Sequence, residues 1–212
     1  MKQGFVKVAS ATPRIRVADP VYNAQVICEQ AKEAAEHGAK IVVFPELCIT
    51  GYTCNDLFLQ ELLLEKAKEA LLTIVEETGQ LEALFLVGLP VDKDGRLYNV
   101  AAVLYRGRIL GMIPKKNIPM YAEFYEGRHF TPGEETVTEY RLGKQEIPFG
   151  TNLLFRCEEL PELILGCELC EDLWVAEPPS TSHALMGATV IANLSASNET
   201  VSKDDYRTLL VK

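Results

Sequence analysis

No stretch of the chain is apolar for long enough to span a bilayer, and the opening MKQGFVKVASATPR contains too short an apolar run for a signal peptide. We therefore expect a cytoplasmic protein with no membrane partner. Thiols stay reduced in that compartment, so the six cysteines are better interpreted as buried side chains, with room for one reactive thiol, than as disulfides.

Basic residues are also scarce. The 21 Lys and Arg residues stand against 30 Asp and Glu, which gives a net charge of -9, and they form no cluster. Because phosphate contacts need clustered Lys and Arg, this composition argues against a nucleic-acid partner. With 48% apolar and 24% charged residues, the chain has the composition of a globular protein. We expect one domain over residues 1–212.

Metal and redox motifs are sparse. One CxxC spacing joins Cys167 to Cys170, but no second pair accompanies it, and His37, His129 and His183 are scattered. Side chains three positions apart on a strand face opposite sides, so the two sulfurs meet only if a turn intervenes. We therefore expect no metal site. A noncatalytic CxxC redox or metal module remains the alternative from a different functional class.

Short apolar segments, typical of strands, alternate with segments of helical periodicity through the first half of the chain. The predicted helices run from the cap Asp19-Pro20 to Gly38, and from Asn55 or Asp56 to Gly79. The predicted strands are GFVKVAS, KIVVFPE, LEALFLVGLP, the hairpin LYNVAAVLY with RILGMIPK, then TNLLFRC, ELILGCELC and ATVIANLS. A short helix is expected at STSHALMG. The pattern predicts an α/β fold in which helices pack on a mixed sheet.

Three predicted strands end in residues that can do chemistry. Glu46 follows IVVFP, Lys115 follows LGMIP and Cys170 follows LILGCEL. Loops that leave the carboxyl edge of a sheet commonly build the sites of α/β folds. These three residues are therefore the candidates for an active site.

The segments VVFPELCITGY, IPKKNIPMYAEFYEGR and LGCELCEDLW together resemble the three signature segments of the nitrilase, or carbon-nitrogen hydrolase, superfamily. More narrowly, PELCITGYTCNDLF, FYEGRHFTPG and CEDLWVAEPPS followed by GATVIANLSAS resemble the amino-terminal glutaminase domains of glutamine-dependent NAD synthetases. The resemblance implies an α-β-β-α sandwich with mixed β-sheets, truncated at its C-terminus. It also implies that the domain hydrolyses the amide of glutamine through a cysteine thioester.

The resemblance, carried over position by position, makes Glu46 the general base, Lys115 the cationic stabiliser and Cys170 the nucleophile, with Glu126 as a supporting acid. Family register after Pro114 selects Lys115 over Lys116. A carboxamide is a poor electrophile, so a thiolate must attack it. A nearby carboxylate takes the thiol proton and returns it to the departing ammonia.

The developing oxyanion needs hydrogen-bond donors. The resemblance implies that these are the Lys115 ammonium and the backbone N–H of Glu171. On this interpretation Cys170 has a low apparent pKa and reacts ahead of Cys167. Equal reactivity of the two thiols would instead favour the CxxC alternative.

Glutamine recognition requires groups for an α-ammonium and an α-carboxylate. The resemblance implies that Tyr52, Glu171 and Ser197 bind the substrate, and an acidic residue beside the nucleophile suits an ammonium. Lys203 stands where the synthetases tend to have an arginine, so it would hold the α-carboxylate as a point charge rather than as a bidentate fork.

A Gly/Ser-rich loop for pyrophosphate is missing from the sequence. The resemblance therefore places the ATP-dependent synthetase domain, which would need ATP and Mg, elsewhere in the same polypeptide, while the glutaminase domain needs no cofactor. That partner domain would use the ammonia to amidate nicotinic acid adenine dinucleotide to NAD. The segment DDYRTLLVK has the pattern of an unfinished helix, so we expect an amino-terminal fragment of a larger enzyme. The resemblance to nitrilase-like proteins, which generally associate, implies a homo-oligomer. A free-standing amidase of the same superfamily is the remaining alternative.

Overall fold

In the computed structural model, which describes residues 4–212, helix α1 (Pro20–Glu36) begins and ends where the sequence predicts. The side chain of Asp19 accepts a hydrogen bond from the backbone N–H of Tyr22 at 3.1 Å, and Pro20 occupies the first helical position. Gly38 ends the helix with a φ of +83°. One face is buried and consists of Pro20, Asn23, Ala24, Ile27, Cys28 and Ala31.

Helix α2 (Glu61–Glu77) begins later than predicted. The preceding residues, Tyr52–Leu59, form a short 3-10 segment that is interrupted at Asn55, where φ is 49° and ψ is -131°. Asparagine tolerates positive φ better than most residues, so the chain turns there instead of entering the helix. The predicted start at Asn55 or Asp56 is therefore wrong, whereas the predicted end is correct to within two residues of Glu77.

A seven-stranded mixed sheet has the order β1-β2-β3-β4-β5-β7-β6. Its strands are β1 (Val8–Ser10), β2 (Ile41–Val43), β3 (Leu84–Lys93), β4 (Arg96–Tyr105), β5 (Arg108–Pro114), β6 (Thr138–Leu142) and β7 (Gln145–Phe149). Strands β1 to β3 are parallel, and β3, β4 and β5 then pair antiparallel. Two-residue turns join these last strands at Asp94-Gly95 and Arg106-Gly107, where all four φ angles are positive. The pair β6 and β7 was not predicted.

A second sheet of three strands has the order β10-β9-β8. The remaining elements are β8 (Leu154–Arg156), β9 (Ile164–Leu169), α3 (Pro179–Leu185), β10 (Val190–Leu194), α4 (Lys203–Leu210) and two 3-10 turns, Glu126–Arg128 and Cys170–Trp174. Strands β9 and β10 are parallel, and β8 pairs antiparallel with β9.

The side chains of β9 alternate between two environments. Leu165, Cys167 and Leu169 pack against Leu86, Val103 and Ile113 of the large sheet. On the opposite face, the ring of His183 on α3 lies against Gly166. Helices α1 and α2 pack on the outer face of the large sheet. The layers are therefore helix, sheet, sheet and helix, which confirms the expected α/β sandwich with mixed sheets.

Among the helices described for residues 4–212, none combines the length and the apolar character needed to cross a membrane.

Gly88 of β3 fixes how closely the segment after β2 approaches the sheet. A Cβ atom there would lie 2.3 Å from the backbone N of Leu47 and 2.7 Å from the carbonyl O of Pro45. We expect Gly88→Ala to lower the free energy of unfolding by about 3 kcal/mol, because backbone atoms must move. Urea unfolding followed by circular dichroism measures the change.

Gly38→Ala is the matched control. Gly38 has a positive φ, but a Cβ atom added there would meet no heavy atom within 4 Å, so the substitution costs only about 1 kcal/mol of backbone strain. Equal losses in the two variants would refute the close approach at Gly88.

Candidate active site

Glu46 and Lys115 come together at one edge of the large sheet. Glu46 follows β2 after two residues, and Lys115 directly follows β5. The Lys115 Nζ atom lies 2.7 Å from the Glu46 Oε1 atom, and both side chains are fully buried. The backbone N–H of Ala196, just beyond β10, donates to Glu46 Oε2 at 3.1 Å. The base candidate is therefore held by both sheets.

A second carboxylate completes the ion cluster. Lys115 Nζ also donates to Glu126 Oε1 at 2.6 Å, and Glu126 lies in the 3-10 turn Glu126–Arg128. Burial alone would lower the pKa of Lys115, but the charges of Glu46 and Glu126 outweigh it and hold that pKa above its ordinary value. Burial and the charge of Glu46 raise the pKa of Glu126, against the opposing effect of Lys115. Lys115 is thus a fixed cation.

Asn99 of β4 bridges the same two carboxylates. Its Nδ2 atom donates to Glu46 Oε1 at 2.7 Å and to Glu126 Oε2 at 3.3 Å. The backbone N–H of Lys115 donates to the carbonyl of Asn99 at 2.8 Å, so the two residues are also neighbours through the main chain. Asn99 was not predicted from the sequence. Its signal was an amide inside the otherwise apolar strand LYNVAAVLY.

Cys170 lies at the turn that follows β9. Its φ is 42°, an uncommon value for a side chain other than glycine, and the residue is buried. Burial and the charge of Glu46 raise the pKa of Cys170 to about 12, although Lys115 and a hydrogen bond with Ser195 lower it. This shift is opposite in direction to the low apparent pKa expected from the sequence.

The other cysteine of the CxxC spacing has a different environment. Cys167 points into the apolar layer between the two sheets, and both thiols are free. Burial raises the pKa of Cys167 as well, and no ammonium counteracts this. Within residues 4–212, no three His, Cys, Asp or Glu side chains are grouped so as to hold a metal ion. The two cysteines of the CxxC spacing therefore have different surroundings, Cys167 in the apolar layer and Cys170 beside Glu46 and Lys115.

The neighbouring lysine is not part of the cluster. Lys116 Nζ pairs with Glu135 Oε1 at 2.7 Å near the surface. The structure therefore places Lys115, and not Lys116, between the two carboxylates, as the family register predicts. Asp172, the second residue after Cys170, is buried and was also missed.

Two of the predicted substrate-binding residues contact other site residues. The hydroxyl of Tyr52 donates to Glu126 Oε1 at 2.8 Å, which ties Tyr52 to the ion cluster. Glu171 follows Cys170 and accepts a hydrogen bond from the hydroxyl of Tyr121 at 2.8 Å. Tyr52 and Tyr121 both pack edge-on against Phe124. The ring of Phe124 therefore connects Tyr52, which bonds to the ion cluster, with Tyr121, which bonds to Glu171.

The other two predicted substrate-binding residues contact each other. Lys203 Nζ donates to Ser197 Oγ at 2.6 Å and to Asn198 Oδ1. Its ammonium lies 5.0 Å from the ring centre of Trp174 and 5.9 Å from that of Phe124. Phe124 thus lies near all of these contacts. The structure brings Tyr52 to the ion cluster and pairs Ser197 with Lys203.

Together, a thiol, a carboxylate and a fixed ammonium are the groups needed to attack an acyl carbon and to stabilise the oxyanion that forms. The profile of the family described as carbon-nitrogen hydrolase matches residues 7–210. The chain belongs to the carbon-nitrogen hydrolase family.

Relatives of this hydrolase chain include longer enzymes. It is 42% identical over 211 residues to the glutamine-dependent NAD(+) synthetase of Mycobacterium tuberculosis, and it covers 100% of its own length and 31% of that protein. Its structure matches that of a glutamine-dependent NAD(+) synthetase from Cytophaga hutchinsonii with a TM-score of 0.86 at 29% identity, over 97% of this chain and 33% of the other. The chain thus spans about a third of the length of these relatives.

An amidase from Nesterenkonia sp. shares the fold, with a TM-score of 0.69 at 21% identity over 94% of this chain and 68% of the amidase. The same fold therefore occurs in an enzyme shorter than the synthetases.

The buried ion cluster predicts a large difference between adjacent lysines. Lys115→Met leaves two buried carboxylates without their cation, and we expect a loss of at least about 3 kcal/mol in the free energy of unfolding at pH 8. Lys116→Met removes only a surface ion pair and should change the free energy of unfolding by less than about 0.5 kcal/mol. Urea unfolding of both variants measures the contrast.

The loss in Lys115→Met should shrink as the pH falls to 5. The pKa of Glu126 is already raised, and removal of the ammonium raises it further. A folded carboxyl whose pKa exceeds its unfolded value binds more protons than the unfolded one, so its contribution to stability falls as the pH rises through that window. A pH-independent loss would contradict this account of the cluster.

The raised pKa of Cys170 predicts how it alkylates. The rate of reaction with iodoacetamide should rise about tenfold per pH unit between pH 7 and 9, without a plateau, because the thiolate fraction grows throughout. Glu46→Gln removes a charge that raises this pKa, so alkylation at a given pH should become faster. Peptide mass spectrometry measures both rates, with the partly exposed Cys157 as internal reference.

Cys167 should stay unmodified in the folded chain and react only after denaturation. A plateau for Cys170 below pH 8 would show instead that the resting site holds a thiolate paired with Lys115.

Proposed function

We propose that this chain hydrolyses the side-chain amide of glutamine through a thioester at Cys170. The observation that carries the proposal is the Lys115 ammonium, buried between Glu46 and Glu126 beside the thiol. The 42% identity to a glutamine-dependent NAD(+) synthetase supports glutamine as the amide. The catalytic roles of Glu46, Lys115 and Cys170, and the supporting role of Glu126, form part of this proposal.

The reaction begins with a thiol, because the pKa of Cys170 is raised to about 12. The sulfur attacks the amide carbon while its proton moves to a Glu46 carboxylate oxygen. A tetrahedral intermediate forms, and the Lys115 ammonium with the backbone N–H of Glu171 stabilises its oxyanion. Glu46 then gives the proton to the departing nitrogen, and the C–N bond breaks to leave ammonia and a thioester.

Water completes the cycle. Glu46 accepts a proton from the water that attacks the thioester, and the proton returns to the sulfur as the C–S bond breaks, which yields glutamate. The same base therefore carries the proton in thioester formation and in thioester hydrolysis, and it must stay in place through both steps. The hydrogen bonds to Glu46 from Lys115, Asn99 and Ala196 hold it there.

Glu126 supports the site through Lys115. Its carboxylate accepts a second hydrogen bond from the ammonium and itself accepts hydrogen bonds from Tyr52 and Asn99. Tyr52 then acts on the substrate from a fixed position, because its hydroxyl is already bound. Phe124 packs against its ring.

The substrate's charged groups match the remaining residues. The Glu171 carboxylate, held by Tyr121, suits an α-ammonium, and the Ser197–Lys203 pair suits an α-carboxylate. Lys203 is a point charge on a flexible stem, so it gives up its present contacts with Ser197 and Asn198 to bind the ligand. No cofactor takes part in these steps.

We further propose that residues 1–212 form one glutaminase domain of a longer polypeptide. Its partner would be a C-terminal synthetase domain that uses ATP and Mg to amidate nicotinic acid adenine dinucleotide with the released ammonia. Support comes from the relatives, of whose length this chain spans about a third. A homo-oligomer belongs to the same proposal, as does a cytoplasmic location.

A free-standing amidase is the second candidate, because the chain covers 68% of an amidase of this fold. The difference lies in the substrate. Glutamine has an α-ammonium and an α-carboxylate for Glu171, Ser197 and Lys203 to bind, whereas a short amide such as propionamide has neither group.

The first experiment measures glutamate release from glutamine and ammonia release from propionamide, for the chain and for Cys170→Ala and Glu46→Gln. We expect glutamine to be preferred at least tenfold in kcat/KM and both variants to lose at least about 100-fold in kcat. Trapping of the acyl group on Cys170 by acid quench and mass spectrometry identifies the thioester.

Preference for propionamide would favour the amidase. Full activity of Cys170→Ala would overturn the proposed nucleophile. If the chain alone turns over neither amide, the same assay on a polypeptide that includes the following domain decides the proposal.

A further inference from the structure

The Asp172 carboxylate accepts four hydrogen bonds and is 1% exposed. Its Oδ2 atom accepts from the backbone N–H of Leu169 at 3.0 Å and from that of Lys116 at 3.4 Å. Its Oδ1 atom accepts from the backbone N–H and the side-chain Nδ2 of Asn117, each at 2.8 Å. Every partner is a donor, so the site requires a group that only accepts, as an ionised carboxylate does.

One of these contacts brackets the nucleophile. Leu169 and Asp172 stand on either side of Cys170, and the bond between them closes the turn in which Cys170 has a φ of 42°. A backbone conformation of this kind persists only where the surroundings hold it. The carboxylate therefore stabilises the strained turn that presents the thiol.

The other contacts reach the segment that carries the ammonium. Lys116 and Asn117 directly follow Lys115, which lies at the end of β5 in the large sheet. Cys170 lies at the end of β9 in the small sheet. One side chain thus joins the exits of two strands that belong to different sheets.

We propose that Asp172 is a positioning residue that sets the Cys170 sulfur and the Lys115 ammonium in a single geometry across the two sheets. This inference rests on the proposed thioester chemistry. Both oxygens of Asp172 are occupied by backbone and Asn117 donors, so the residue acts through the two segments and not on the substrate. Its effect is on formation of the intermediate, where the distance from sulfur to ammonium matters most.

Asp172→Asn tests the requirement for an acceptor. An amide keeps the shape and one acceptor oxygen, but it places an NH₂ group against the N–H groups of Leu169 and Lys116. We expect kcat for glutamine to fall about 100-fold with KM changed less than threefold, while iodoacetamide alkylates Cys170 within threefold of the unaltered rate. A purely structural role would instead lower the folded fraction, measured by circular dichroism, and would affect all three quantities.

Asp94→Asn is the matched control, because it makes the same chemical change at an exposed turn. Asn117→Ala is the milder variant, since it removes one of the four hydrogen bonds and leaves the backbone donor. We expect it to lower kcat about threefold. If Asp172→Asn does not fold, this graded effect decides the inference: an unchanged kcat in Asn117→Ala overturns it.

A second readout separates this inference from the proposed function. Acylation of Cys170 by p-nitrophenyl acetate, corrected with Cys170→Ala, also passes through an oxyanion and does not need glutamine. We expect Asp172→Asn to slow it at least tenfold. An unaltered chain that fails to hydrolyse glutamine but shows this slowing refutes only the glutamine substrate. An Asp172→Asn variant that acylates at the unaltered rate refutes only the positioning role.

Discussion

The site depends on a lysine ammonium buried between two carboxylates. Removing such charges from water is expensive, and their mutual attraction offsets the cost only when the geometry is good and the remaining hydrogen bonds are made. Here Lys115, Glu46 and Glu126 come from three separate segments, and Asn99 and Tyr52 donate further hydrogen bonds to the two carboxylates. The sheet edge, the 3-10 turn and the strand pairing of β4 with β5 must therefore all be in place together.

The cluster also explains how a thiol with a raised pKa remains useful. The negative charge of Glu46 disfavours a thiolate. In the proposed reaction the same charge makes Glu46 the acceptor of the thiol proton. Lys115 cannot neutralise the site by losing its proton, because two carboxylates hold that proton. In the proposed reaction the negative charge stays on the Glu46 carboxylate until a substrate is present, and it passes to the substrate oxyanion as the sulfur–carbon bond forms.

Strand ends were the predictable part of this site. Glu46, Lys115 and Cys170 each follow an apolar strand, the first two in the large sheet and Cys170 in the small sheet. Helix α1 was equally clear, since a cap, a proline and a glycine mark its ends. The start of α2 was misjudged because Asn55 adopts a positive φ that no periodicity reveals. Asn99 and Asp172 were not predicted for another reason. Asn99 bonds to Glu46, which is distant in sequence, and Asp172 accepts from backbone N–H groups such as that of Asn117. Neither kind of contact leaves a local pattern in the sequence.

The hydrogen bond from Ala196 to Glu46 spans 150 residues of sequence and connects the ends of β10 and β2. Contacts of such separation are slow to form, because the entropy of closing a long loop must be lost before they are made. During synthesis, the segment that carries Glu46 emerges from the ribosome long before Ala196 does. A nascent chain can therefore form α1 and begin its first sheet before Glu46 accepts this hydrogen bond, which is made only after strand β10 has joined the second sheet.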